Sequence, residues 1–237
     1  MKLTDMTMKE FEEGLKKTKT LIVPYGTVEA HGTHLPLSTD TFVIERVAEE
    51  VARRVPVFVA PPVHYGVCSS TGRHPGTLGI TPETLRRITR DIVRDGCDKG
   101  FRNFILVSGH AGGLHTSAMK EAAETVVEEI DGINVAAFTI YDVLPPEAFK
   151  IAETKGDSHA GEMETSLILH LLPELVKGRS KEEYPDLPKP FIVRDKVKYW
   201  PGAVWGNPEK ASAGKGKKFF DIMVETLTDV VRQIEKL

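Results

Sequence analysis

Thiols and side-chain amides are scarce in this 237-residue chain, which holds two cysteines, Cys68 and Cys97, one glutamine, Gln233, and three asparagines, Asn103, Asn134 and Asn207. Two thiols far apart in sequence make neither a short-spaced metal pair nor a disulfide scaffold, so both are expected to be free. Few thermolabile amides are a thermophile tendency. Positive charge is not in surplus either. Lys and Arg number 31 against 34 Asp and Glu, for a net charge of -3, and the lysines are spread out apart from Lys215, Lys217 and Lys218. That balance gives no basic footprint for nucleic acid. No apolar run approaches the ~20 residues of a membrane helix, and the opening MKLTDMTMKEFEEG lacks the hydrophobic segment of a secretory leader. A cytoplasmic protein that does not engage membranes is expected. What is present, 41% hydrophobic and 27% charged residues, is enough to build a sizeable core. No linker or repeat divides the chain, and residues 1–237 are read as one domain.

The apolar pattern alternates between strand and helix. Short β-branched runs at 20–24, 57–60, 104–107 and 133–140 read as buried strands. Between them lie amphipathic stretches with helix starts: Thr7 with Glu10, Asp40 or Thr41, and Thr81 before Pro82. Further helices are expected at 114–130, after His159, and at 209–235. The fold class is therefore α/β, a three-layer sandwich with a mostly parallel sheet flanked by helices, in which ligands gather at the carboxyl ends of the strands.

Chemistry-bearing residues collect at those ends. The first strand runs into PYGTVEAHGTHLPLSTD, which carries Glu29, His31, His34 and Asp40. Glu29 and His31 are two apart, so extended backbone sends both side chains from one face, as in metal sites. The third strand ends in SGHAGG with His110, and a later loop, DSHAGEMETS, brings His159 and Glu162 to a helix start. Carboxylates with imidazoles suit two borderline divalent ions, with Asp40 a candidate bridge and His159 a candidate proton carrier. The long 61–81 connection has the length of an active-site loop. Its His64, Arg73 and His74, with His115 beyond it, could contact substrate or sit at the surface. His34 reads as a structural or supporting residue, His170 as a satisfied core or surface histidine, and Trp200 and Trp205 as packing or subunit-contact residues.

PYGTVEAHGTHLPLSTD, SGHAGG and HAGEMETS, in that order, resemble the three motifs of the creatininase (creatinine amidohydrolase) family, and the resemblance runs over nearly the whole chain. It implies a creatininase-like α/β sandwich, a homo-oligomer, often a hexamer, and two divalent ions, zinc ahead of manganese or iron. By motif position, Glu29 and His110 hold one ion, His31 the other, and Asp40 bridges. His159 takes the place of the catalytic histidine. Two sites depart from the creatinine-hydrolysing members: Gly112 stands where they carry a glutamate ligand, and Ala111 where they carry a bulky aromatic. Glu162 is expected to substitute for the missing ligand, with Glu164 supporting the site from behind. The function expected is hydrolysis of a non-peptide C–N bond in a small cyclic amide or formamide. The family also includes formamidopyrimidine-type deformylases and a peptidase that trims a cofactor precursor. Outside amide chemistry, a phosphoester hydrolase and a non-catalytic metal-binding relative are the rivals.

Overall fold

The computed structural model describes residues 1–237. Four strands, β1 (Thr20–Tyr25), β2 (Phe58–Val59), β3 (Asn103–Ser108) and β4 (Asn134–Thr139), form one parallel sheet in the order β2-β1-β3-β4. Six helices flank it: α1 (Met8–Leu15), α2 (Thr39–Arg54), α3 (Pro82–Asp98), α4 (Gly113–Glu129), α5 (Glu162–Leu171) and α6 (Ala213–Ile234). The expected three-layer α/β architecture is present.

Both faces of the sheet are covered, and strand alternation decides which residue goes where. Ile22, Ile105 and Val107 point to one side, into a core with Val43, Val47 and Val51 of α2, Leu167 of α5 and Phe219, Met223 and Leu227 of α6. Leu21, Val23, Phe104 and Leu106 point to the other, against Leu85 and Val93 of α3 and Met119 and Val126 of α4. Helix starts follow local chemistry. Thr7 and Glu10 make a reciprocal capping box, and the Thr81 hydroxyl accepts from the Thr84 N–H ahead of Pro82. The last helix begins at Ala213, four residues later than the periodicity suggests. There Ser212 accepts the Lys215 N–H, while Pro208–Lys210 form a separate 3-10 turn.

From β1 the chain crosses through α2 to β2 on one side, and later runs from β3 through α4 to β4 on the other. The connections diverge between the adjacent strands β1 and β3, which opens a crevice at their carboxyl ends. No helix is long and apolar enough to cross a membrane.

Candidate metal centre and active site

The loop after β1 turns back on itself, with the Glu29 N–H bonded to the Leu37 carbonyl at 2.8 Å. It delivers Glu29 and His31 into the crevice, and α2 enters the same space with Asp40 in its first turn. Close approach there requires glycine: a Cβ on Gly109, just past β3, would lie 2.3 Å from the Asp40 carbonyl oxygen. His110 follows immediately, its N–H donating to the Ser108 hydroxyl at 3.0 Å. Glu29, His31, Asp40 and His110 are all buried.

Their atoms converge. His31 Nε2 lies 3.1 Å from Asp40 Oδ1 and 3.6 Å from Glu164 Oε2. His110 Nδ1 lies 2.9 Å from Glu29 Oε2 and 3.2 Å from Asp40 Oδ2. Two triads have donor atoms within 4.8 Å of one another and share Asp40, namely Glu29, Asp40 and His110, and His31, Asp40 and Glu164; Glu29, His31 and His159 form a third.

Glu162 is not in the centre, which corrects the expectation that it substitutes for the missing glutamate. Its carboxylate accepts from Lys215 Nζ at 2.5 Å, from the Thr154 hydroxyl at 2.7 Å, and from the N–H groups of Glu153 and Thr154. The reason is helical phase. Two residues along a helix turn about 200°, so Glu162 and Glu164 leave opposite faces of the first turn. Glu164 faces the crevice, accepting the Ala160 N–H at 2.6 Å. Ala160 itself sits at a left-handed φ of 49°, a strained turn between His159 and the helix. Gly112 could not carry a glutamate here without rearrangement, because its Cβ would lie 2.3 Å from His110 Nε2.

The donor set fits divalent cations. Each imidazole turns one nitrogen to a backbone carbonyl: His31 Nδ1 to Glu29 at 2.9 Å, His110 Nε2 to Val67 at 3.3 Å, and His159 Nε2 to Ala30 at 2.8 Å. For His31 and His110 the other nitrogen faces carboxylate oxygens, lone pair against lone pair unless a cation or a proton lies between. No lysine or arginine pairs with Glu29, Asp40 or Glu164; their ionic partners are imidazoles. Without a metal, protons must compensate. Burial alone would lower His31, but Asp40, Glu164 and Glu29 outweigh it and hold it near 10. His110 is raised in the same way by Glu29 and Asp40, while burial lifts Glu164 well above the usual carboxylate range. Divalent ions would relieve the same crowding without those protons.

His159 differs. Burial, reinforced by the neighbouring His31 charge, lowers it to about 4, so the ring is neutral near pH 7. With Nε2 donating to Ala30, Nδ1 keeps its lone pair. The ring lies 4.2 Å from that of His31, tilted by 37°, and meets Trp200 edge-on at 5.4 Å. It is held by an antiparallel bridge to Trp205, whose N–H donates to the His159 carbonyl at 2.6 Å.

These groups line a cavity of about 310 Å³, walled by Tyr141, Phe149, Met163, Leu187, Trp200 and Trp205, with Ala111, Gly112 and Gly113 on one side. The tryptophans are therefore site residues, not only packing. Residues that motif reading did not assign to the centre also support it. Thr27 donates to Asp40 Oδ2 at 2.5 Å, Thr71 of the long loop donates to Glu29, and His74 contacts the Trp200 carbonyl at 2.6 Å. His115 is buried beneath His110, accepting the Val67 N–H. His34 bonds Thr165 and Ser180 outside the centre, and Cys68 is buried with its thiol pushed up by burial.

A family model described as creatinine amidohydrolase, the creatininase family, matches residues 4–231. Three curated relatives are of similar identity. A 3-dehydro-scyllo-inosose hydrolase of Thermotoga maritima is 28% identical, over 97% of this chain and 82% of its own. A creatinine amidohydrolase of Pseudomonas putida is 27% identical, over 97% and 95%. A mycofactocin precursor peptide peptidase of Mycobacterium tuberculosis is 28% identical, over 92% and 85%. Among solved structures, a manganese creatininase aligns with TM-score 0.88 and a Zn-Zn form with 0.85, each 25% identical and covering 98% of this chain and 97% of its own. With a family model matched over nearly its whole length and solved members superposing on its fold, this chain belongs to the creatininase family.

Proposed function

We propose that this creatininase-family hydrolase is a metal-dependent amidohydrolase that cleaves the C–N bond of a small cyclic amide or formamide. The observation that carries the reading is the pair of buried donor triads joined by Asp40, with imidazoles as their only ionic partners. Glu29, Asp40 and His110 would hold one ion, and His31, Asp40 and Glu164 the other. Zinc leads, with manganese and iron as alternatives. Such a pair supplies Lewis acidity and a water acidified towards neutral pH.

The chain's own residues supply the rest. His159, neutral and with its Nδ1 lone pair free, takes a proton from the attacking water and returns it to the leaving nitrogen. Trp200 and Trp205 hold it in place. No lysine or arginine lines the cavity, which disfavours phosphoesters and carboxylate-rich substrates. Ala111 leaves space where creatinine-hydrolysing members carry a bulky aromatic, and Gly112 lacks their glutamate, so a substrate other than creatinine is favoured. The exposed Phe191 and Ile192 are compatible with the homo-oligomer that family resemblance implies, and light scattering at monomer mass would remove that part of the reading.

The test is metal loading followed by a panel of hydantoins, lactams, creatinine and N-formyl amines, with a generic phosphoester as the rival. Metal-dependent release of amine or formate supports the reading. Turnover of the phosphoester alone, or no bound metal, would sink it.

A further inference from the structure

Tyr141 lines the cavity beside Glu164 and Asp40, yet nothing in the fold uses its hydroxyl. The residue sits just past the carboxyl end of β4, in a 3-10 turn spanning Ile140–Val143. Thr139 and Asp142 hold that turn by a reciprocal capping box at 3.1 and 3.2 Å, so its backbone is fixed without help from the phenol. The ring packs on the apolar cluster beneath the sheet, a task phenylalanine would do as well. The hydroxyl makes no hydrogen bond to the protein, and it is not among the sealed, unpaired polar atoms, a class that holds only Arg90 Nε. It therefore opens to the cavity. Ser70 and Ser158 also bring hydroxyls to the wall, but both residues are exposed and free to bond water.

Resting on the hydrolase reading above, we propose that the Tyr141 hydroxyl donates a hydrogen bond to the carbonyl oxygen of the substrate, and so selects ligands that place an oxygen acceptor there. A donor that is fixed, half-buried and unpartnered in the free protein loses little on binding and discriminates against ligands that leave it unpaired. A phenol ordinarily titrates at about 10, so the hydroxyl carries its proton at neutral pH.

The test uses zinc-loaded protein carrying 3-fluorotyrosine, with acetohydroxamate as a metal-binding probe that presents a carbonyl oxygen. The chain has five tyrosines, so Tyr141→Phe identifies the Tyr141 fluorine resonance by its loss. Tyr184→Phe, at the surface on Glu182, is the control. The proposal expects the Tyr141 resonance to move on saturation and Tyr141→Phe to weaken the hydroxamate roughly tenfold or more, with zinc content unchanged. An unmoved resonance with affinity within about twofold of wild type overturns it while leaving the hydrolase reading intact. Failure of hydroxamate to bind wild type is a different result, which removes the hydrolase reading and this inference with it.

Discussion

Glu162 and Glu164 stand two residues apart in the first turn of α5, both buried, and they live in opposite electrostatic worlds. Glu162 is surrounded by donors: an ammonium, a hydroxyl and two backbone N–H groups, which together outweigh burial and hold its pKa below the usual value. Glu164 has one backbone N–H and the edge of an imidazole, with Asp40 nearby, and its pKa rises. A buried carboxylate with a full complement of donors is a fastener. One whose partners are other metal-capable groups is poised for a cation.

Removing the poised carboxylate should have the largest effect. Glu164→Gln keeps volume and fold while losing a donor oxygen, and turnover is expected to fall by about 10³-fold or more. Activity within tenfold of wild type would break the distinction. His159→Ala comes next, with a loss of roughly 10²- to 10⁴-fold in kcat and metal content unchanged, because it removes a proton carrier. Loss of metal from that variant would instead make His159 a ligand, as the triad with Glu29 and His31 permits geometrically.

How much of this could be read beforehand depended on the kind of link between residues. β1 and β3 announce themselves through apolar runs, and the ends of both carry their functional residues within a few positions, so Glu29, His31, Asp40 and His110 could be proposed together. The layer order followed from the same pattern. The choice between Glu162 and Glu164 could not be made that way, because it depends on where the helix starts and hence on the left-handed turn at Ala160. Trp200 and Trp205 lie in an irregular stretch with no periodicity to place them. They reach the site through hydrogen bonds between distant segments, Trp205 to His159 and the Trp200 carbonyl to His74. Thr71 was hidden likewise, since a threonine in a long loop carries no pattern that says which carboxylate it will meet.

The fastener side makes the converse prediction. Glu162→Gln should lower stability by about 1 to 2 kcal/mol, roughly 2 to 8 °C in Tm, by leaving Lys215 with only the exposed Glu153 as ionic partner. Its kcat/KM at permissive temperature should stay near wild type. A smaller effect is expected from Thr71→Val, which strips a donor from Glu29: metal affinity should fall about tenfold, with activity recovered at excess metal. An unchanged affinity would show that Glu29 needs no such support.

The smallest effect is in pH. The folded pKa of Glu162 lies below its unfolded value, so its contribution is complete above the ordinary carboxylate range and lost as pH falls through the folded pKa. The stability gap between wild type and Glu162→Gln should therefore be constant near neutrality and close in acid. A gap that widens in acid would contradict the assignment of Glu162 as an ionised partner of Lys215.

One measurement bears most directly on the contrast: elemental mass spectrometry of wild type, Glu164→Gln and Glu162→Gln, purified in parallel without chelator. The account predicts about two divalent ions per chain in wild type and Glu162→Gln, falling to about one in Glu164→Gln. Loss of an ion from Glu162→Gln with both retained in Glu164→Gln, or fewer than two in wild type, would contradict it.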